Sequence, residues 1–250
     1  SDTREQLHVG KRPAHPGITR IPQKENQRPA TLPTRVLNMS DTNDFYEENS
    51  YESLLKRLPE ELKDYLQQEN SIIKDYIKSQ ETILELGCGY GRSLPLLATY
   101  AQQVVGIDFS IEHLKEAQRL MQKNIFVYHM DATHLQFDDN TFDKAVCLGH
   151  TIGNIEGGEV NVLKEMHRVT RKGFYLNVLN PLARVMQKKF YTNNGFSIIE
   201  ESDHHIRLKE GLYSRRFSQQ QLEELLQQAG IQRFEIHPLT KLGLQVFAYK

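Results

Sequence analysis

A glycine-rich turn, Gly87-Cys88-Gly89-Tyr90-Gly91, separates an apolar run at 82–86 from a helical pattern at 92–101. Glycine permits a tight turn and lets the backbone approach a ligand closely, so this succession is typical of nucleotide-binding folds. Asp108 ends the next apolar run, where a carboxylate can accept hydrogen bonds from two adjacent ribose hydroxyls. An acid that merely begins a helix is the alternative for Asp108. The pattern predicts a nucleoside-containing ligand at this turn.

The residues around the turn indicate which ligand it holds. The dinucleotide fingerprint is G-x-G-x-x-G/A, whereas here Gly91 comes one residue early and Arg92 takes the final position. Glu85 precedes the turn, and its carboxylate would repel a pyrophosphate but attract an ammonium or sulfonium group. A P-loop is excluded because no G-K-[ST] follows. These features favour S-adenosylmethionine over a nicotinamide or flavin dinucleotide.

A third apolar run ends before Asp131, whose carboxylate could accept a hydrogen bond from an adenine amino group. The apolar side chains of Phe109, Ile111 and Leu148 could enclose the base. Ordinary core packing is the alternative for each of these three residues.

Strands and helices alternate around these residues, which predicts βαβ units and a mostly parallel sheet. A helix is predicted to begin after Pro59, and a closing hairpin within 233–249 makes the last strand antiparallel. The predicted strands are 82–86, 103–108, 124–129, 142–148 and 173–179; the other predicted helices are 92–101, 110–121, 160–169 and 218–230.

The segment Ile83–Leu148 resembles class I S-adenosylmethionine-dependent methyltransferases. The resemblance rests on ELGCGYG, VVGIDFS, HMDAT and FDKAVCLG, in that order. It implies an α/β, doubly wound, Rossmann-like fold whose seven strands lie in the order 3-2-1-4-5-7-6. It also implies that Glu85, Gly87 and Gly89 meet the methionine part of the cofactor, that Asp108 holds the ribose, and that Asp131 and Ala132 meet the adenine. The predicted cofactor-binding residues are Glu85, Gly87, Cys88, Gly89, Asp108, Phe109, Asp131, Ala132 and Leu148.

The segment after the fourth strand, CLGHTIGNIEGG, is expected at the methyl-transfer site. His150 is the candidate catalytic residue, because histidine can act as a general base toward a hydroxyl acceptor at neutral pH. A structural or surface loop histidine is the alternative. The chain lacks the N/D-P-P-Y run, which disfavours methylation of amino groups of DNA bases or glutamine. The predicted acceptor is a small polar molecule, methylated on nitrogen or oxygen. A protein or RNA methyltransferase and a non-catalytic S-adenosylmethionine-binding module are the alternatives.

Three regions are distinguished by composition. Residues 1–38 hold five of the nine prolines and are predicted to be a leader that is either flexible or foreign to the native chain, with a basic docking arm as the alternative. Residues 39–250 are predicted to form the methyltransferase domain. Within it, 181–217 is too long for a simple connection and is expected to be a substrate cap that roofs a pocket of a few hundred Å³.

The bulk properties are those of a soluble protein with one or two domains. The 250 residues carry a formal net charge of −1, which gives no support to a nucleic-acid partner, although basic residues in 1–38 and 181–217 keep that possibility open. No apolar run approaches the roughly 20 residues of a membrane span. The two cysteines, Cys88 and Cys147, lack metal-ligand spacing, so no metal is expected and a cytoplasmic location with reduced thiols is predicted. The oligomeric state is left open.

Overall fold

The computed structural model describes Phe45 and residues 57–250. Its centre is a seven-stranded sheet in the order β3-β2-β1-β4-β5-β10-β9. The strands of this sheet are β1 Thr82–Leu86, β2 Gln103–Asp108, β3 Ile125–His129, β4 Phe142–Cys147, β5 Thr170–Leu179, β9 Phe234–Thr240 and β10 Gly243–Tyr249. The helices are α1 Glu60–Tyr76, α2 Leu94–Tyr100, α3 Ile111–Ala117, α4 Glu159–Val169, α5 Arg184–Asn193 and α6 Gln219–Gln228.

The sheet has the predicted strand order, with β9 and β10 as the sixth and seventh strands of the motif. β1 pairs in parallel with β2 and β4, and β4 pairs in parallel with β5. β10 runs antiparallel to both β5 and β9. The predicted doubly wound fold with an antiparallel last strand is therefore confirmed. Its parallel strands are nearly continuous apolar runs because helices cover both faces.

Local sequence signals explain where the helices begin. Ser110 caps α3 by accepting a hydrogen bond from the His113 N–H at 3.2 Å. Ser218 and Gln221 form the predicted capping box at α6. The helix predicted to begin at Arg92 begins at Leu94 instead, with a proline in its first turn.

Residues 181–217 hold a second, three-stranded antiparallel sheet beside α5. Its strands are β6 Ile198–Glu201, β7 His205–Leu208 and β8 Tyr213–Arg215. A separate apolar cluster joins this sheet to α5 and includes Phe45, Phe190, Tyr191, Ile206, Leu208 and Leu212. The proposed boundaries of the leader and the domain stay predictions, and residues 1–38 lie outside the described part of the chain.

Membrane-spanning and metal-binding features are absent from the described part of the chain. Among Phe45 and 57–250, no helix has the length and apolar character needed to cross a bilayer. Over those residues there is also no group of three or more His, Cys, Asp or Glu side chains able to hold a metal ion. Cys88 and Cys147 are both buried and free.

Candidate functional site

The glycine turn lies at the carboxyl end of β1, and two of its glycines are required for different reasons. Gly87 has a φ of 68°, and a Cβ there would lie 2.2 Å from Thr151 Cγ2. Gly89 has a φ of 54°, but the nearest atom to its added Cβ would be His113 Nδ1, 4.0 Å away. The close contact with Thr151 therefore explains why residue 87 is a glycine. Gly89 instead leaves an open backbone surface that a ligand can approach.

The Asp108 carboxylate is held by two backbone amides at the carboxyl end of β2. The Gly89 N–H donates to Oδ2 at 2.8 Å, and the Ser110 N–H donates to Oδ1 at 2.9 Å. A carboxylate has about four acceptor positions, so each oxygen keeps one for a further donor. The carboxylate is thus oriented before a ligand arrives, and it ties the glycine turn to the next strand.

Glu85 is buried within β1, with 2% of its surface exposed. The Ser93 hydroxyl donates to Oε1, whereas Oε2 has no hydrogen-bond partner. Burial raises the pKa of Glu85 to about 8, although the Ser93 hydrogen bond and Arg92 act in the opposite direction. A buried acid with an unpartnered oxygen is costly for the protein alone, and a cationic ligand group would offset that cost.

The predicted adenine residues follow β3, which lies beside β2 in the sheet. Asp131 Oδ1 accepts hydrogen bonds at 2.8 Å from both the backbone N–H and the hydroxyl of Thr133. The ring of His129 contacts the Phe109 carbonyl oxygen at 2.9 Å, which links the ends of the two strands. Ala132 is half-buried against the main core. The sheet therefore brings Phe109, Asp131 and Ala132 to the edge that carries Asp108.

Cys88 and Leu148 have a different setting from the other predicted cofactor residues. Both are buried in one apolar cluster beneath the strand ends. Burial raises the pKa of the Cys88 thiol, with the Asp108 and Glu85 charges adding to the shift. A cofactor contact for either residue stays a prediction.

His150 is buried and has a left-handed backbone conformation, with a φ of 70°. The Leu179 N–H donates to Nδ1 at 2.9 Å, so that nitrogen carries no proton. The proton of the neutral ring then lies on Nε2, 3.3 Å from the Ser214 hydroxyl oxygen. Burial, together with the Arg216 charge, lowers the pKa of His150 to about 3. Its role as a general base stays a prediction, and these contacts favour the structural alternative.

The lowered pKa of His150 predicts a pH dependence of stability. The folded state binds fewer protons at His150 than the unfolded state does, so the free energy of unfolding should fall as the pH drops below about 6.5. Urea unfolding at about pH 8 and pH 5 should show a loss of about 2 kcal/mol from this residue. His150→Asn is the matched variant, because asparagine tolerates the left-handed conformation. An equal loss in the variant would contradict the assignment to His150.

A buried polar network lies next to His150 and was not predicted from the sequence. Glu69 on α1 is fully buried, and its Oε1 ion pairs with Arg92 at 2.5 Å. Its Oε2 accepts hydrogen bonds at 2.7 Å from the Gly149 N–H and from the Asn177 side-chain amide. The Tyr65 hydroxyl in turn donates to Asn177 Oδ1 at 2.8 Å. The network therefore connects α1, the residue that follows the glycine turn, the loop after β4, and β5.

One signal in the sequence could have revealed this network. Tyr65, Glu69 and Ile73 are spaced four residues apart, and all three are buried on the same face of α1. A charged residue on an apolar helical face requires a buried partner. Arg92, which takes the final position of the dinucleotide fingerprint, is that partner.

A cavity lies beyond the ends of β4 and β5. Its walls come from α1, the loop after β4 and α5, and its lining residues are Leu62, Tyr65, Leu66, Gly149, His150, Asn154, Leu179, Met186, Gln187, Phe190 and Tyr191. The segment 181–217 therefore contributes to its wall, and its role as a substrate cap stays a prediction. The volume of about 40 Å³ is much smaller than the few hundred Å³ expected, and four side chains of α5, Met186, Gln187, Phe190 and Tyr191, line it. It takes about three water-sized groups.

Comparison with known protein families identifies the central part of the chain. Residues 83–173 match a family described as "Methyltransferase domain". The chain is 38% identical over 96 residues to the phosphatidylethanolamine N-methyltransferase of Cereibacter sphaeroides, covering 36% of this chain and 46% of the relative. It is 33% identical over 106 residues to the demethylmenaquinone methyltransferase of Lactiplantibacillus plantarum, covering 39% and 44% respectively. The chain thus spans less than half the length of these relatives.

Solved structures share the fold over most of the chain. An S-adenosylmethionine-dependent methyltransferase from Methanosarcina mazei has a TM-score of 0.55 at 24% identity, covering 72% of this chain and 96% of that one. Another from Aquifex aeolicus has a TM-score of 0.57 at 20% identity, covering 80% and 98%. The likeness to these structures concerns the fold, and it agrees with the strand order described above.

Proposed function

We propose that this chain, which belongs to the class I S-adenosylmethionine-dependent methyltransferase superfamily, transfers a methyl group from S-adenosylmethionine to a small molecule. The observation that carries the proposal is the buried Glu85 carboxyl, whose Oε2 lacks a partner beside an open glycine turn. A ligand that has both a positive charge and ribose hydroxyls would satisfy the two acids together, the charge at Glu85 and the hydroxyls at the oriented Asp108 carboxylate.

The protein residues have three tasks in this proposal. Glu85 attracts the cationic methionine end, Asp108 accepts from the ribose hydroxyls, and the Gly89 backbone allows close contact. The bound cofactor supplies a methyl group that is already activated on a sulfonium. The remaining work is to align an acceptor with that methyl group and to exclude water. The cavity beside Gly149 is the place we assign to the acceptor.

The acceptor class is supported by the shape of the cavity. It is small and is bounded by α1, α5 and the loop after β4, which favours a small molecule over a bulky chain. The relatives are named for phosphatidylethanolamine and demethylmenaquinone, neither of which is a protein or a nucleic acid. We propose methylation on nitrogen or oxygen. The alternative of a protein or RNA substrate docked by a basic leader concerns residues outside the described part of the chain. The alternative of a non-catalytic binding module predicts that no methyl group is transferred from labelled S-adenosylmethionine, whereas our proposal predicts transfer.

Cofactor binding should release a proton from Glu85. Because the pKa of this carboxyl is about 8, it is largely protonated at about pH 7, and a cationic ligand favours the ionised form. Calorimetry in buffers of different ionisation enthalpy should show the release of close to one proton in the native protein and much less in Glu85→Gln. The variant should also bind S-adenosylmethionine more weakly.

Two controls make this experiment specific. NADH should not bind measurably to either protein, and tight binding of NADH would contradict the assigned ligand. Label from methyl-labelled S-adenosylmethionine should pass to a metabolite extract and not to RNA or protein. Identical proton release by the native protein and Glu85→Gln would remove Glu85 from the cofactor site.

A further inference from the structure

We infer that the group methylated by this protein enters the cavity uncharged, as a hydroxyl or as a nitrogen that is unprotonated at neutral pH. Aliphatic ammonium groups and carboxylates are thereby excluded as reacting groups. The inference rests on the proposed function and narrows its acceptor class.

The first support is the composition of the cavity wall. Within the described residues, the lining contains no aspartate, glutamate, lysine or arginine. Its one ionisable imidazole, His150, is buried and engaged at both ring nitrogens. The space takes only about three water-sized groups, so a charged group could not bring its hydration shell with it. An ion without water and without a counter-charge is strongly disfavoured.

The second support is that two polar side chains of the wall, Tyr65 and Gln187, already form hydrogen bonds with residues outside it. The Tyr65 hydroxyl donates to Asn177 Oδ1 at 2.8 Å. Gln187 donates through Nε2 to the Ser214 hydroxyl oxygen at 2.8 Å, and its Oε1 accepts from Arg216. These two side chains can therefore offer few hydrogen bonds to a new ion.

Two charged residues, Glu69 and Arg216, are linked by hydrogen bonds to the residues of this wall or to their partners, and both already have several partners of their own. Glu69, one turn along α1 from Tyr65, is ion paired with Arg92 and accepts two further N–H donors. The Arg216 guanidinium donates to Gln187 and to the carbonyl oxygens of Asp203, Ser202 and His205. Glu69 is thus not available to a cationic acceptor, and Arg216 is not available to an anionic one.

The transfer step is balanced without a charged acceptor. A lone pair of the acceptor nitrogen or oxygen forms the new bond to the methyl carbon. The bond between that carbon and sulfur breaks, and its electron pair stays on sulfur, which becomes a neutral thioether. The proton displaced from the acceptor leaves to water.

The test identifies the atom that is methylated. The native protein is incubated with methyl-labelled S-adenosylmethionine and a metabolite extract, and the labelled products are located atom by atom with mass spectrometry and NMR. The expected product carries the label on a hydroxyl oxygen or on a weakly basic nitrogen. Label on an aliphatic amine or a carboxylate would overturn the inference while leaving the proposed function intact. Absence of any labelled product would overturn both.

A matched pair of variants tests the role of wall charge directly. Leu66 is half-buried on α1 and lines the cavity. Leu66→Glu adds a carboxylate to the wall, whereas Leu66→Gln adds a side chain of similar size without charge. We expect Leu66→Glu to raise the ratio of amine to neutral products at least tenfold and Leu66→Gln to leave it unchanged. Leu62→Glu, on the same helix, repeats the test if Leu66→Glu does not fold. Equal ratios in the glutamate and glutamine variants would contradict the inference.

Discussion

Replacing Arg92 with methionine is expected to lower the free energy of unfolding by about 3 kcal/mol, because it leaves a buried carboxylate without its ion-pair partner. Glu69 has no exposed side-chain surface, so solvent cannot compensate for the loss. Its two N–H donors remain, which keeps the expected loss near the lower end of the range for buried ion pairs. Urea unfolding at neutral pH, with the slope checked against the native protein, measures the change.

The double variant Arg92→Met with Glu69→Gln separates ion pairing from packing. Glutamine keeps the size of Glu69 and can still accept a hydrogen bond from Gly149 or Asn177. We expect the double variant to recover at least half of the lost stability. Arg119→Met serves as the surface control, because the Arg119–Glu116 pair is well exposed and should contribute little. A loss below about 1 kcal/mol in Arg92→Met would show that the network is not a stabilising feature.

Replacing Asp108 with alanine is expected to weaken S-adenosylmethionine binding by about 30- to 150-fold. The loss of hydrogen bonds between ribose hydroxyls and a charged carboxylate costs about 2–3 kcal/mol, which converts to that ratio. The same change also removes the acceptor for the Gly89 and Ser110 amides, so the glycine turn loses its anchor to β2. Calorimetry on the folded variant gives the affinity.

Two further variants make the Asp108 result specific. Asp108→Asn keeps the size and one carbonyl acceptor, so its affinity should fall between those of the native protein and the alanine variant. Asp138→Ala removes an exposed acid elsewhere and should bind as the native protein does. If Asp108→Ala folds and binds with unchanged affinity, the ribose assignment is wrong.

The strand order and the closing hairpin could be predicted from the sequence because they depend on local patterns and on the family resemblance. Apolar runs, the glycine turn and the caps at Ser110 and Ser218 are each formed by neighbouring residues. The resemblance then supplied the order of the strands, which no local pattern contains. Asp108 could be proposed from the sequence because it ends the strand that follows the glycine turn and its helix.

The surroundings of His150 could not be predicted in this way. Its ring is held by Leu179 and Ser214, which lie 29 and 64 residues away in the chain. Only the folded chain shows that both nitrogens are engaged. The volume of the cavity likewise depends on how Met186 packs against Tyr65 and its neighbours on α1, and no periodicity in the sequence measures that.

The residues predicted to meet the cofactor and one wall of the proposed acceptor cavity come from different stretches of the sequence. The glycine turn, Asp108 and Asp131 lie within 85–131, whereas α5 and its short sheet lie within 181–217. Mutations of the four α5 residues that line the proposed acceptor cavity can reshape that wall without disturbing the strand edge. The family match, which ends at residue 173, stops before that stretch begins. Substitutions there would thus alter the proposed acceptor cavity while the strand edge proposed to hold the cofactor stays the same.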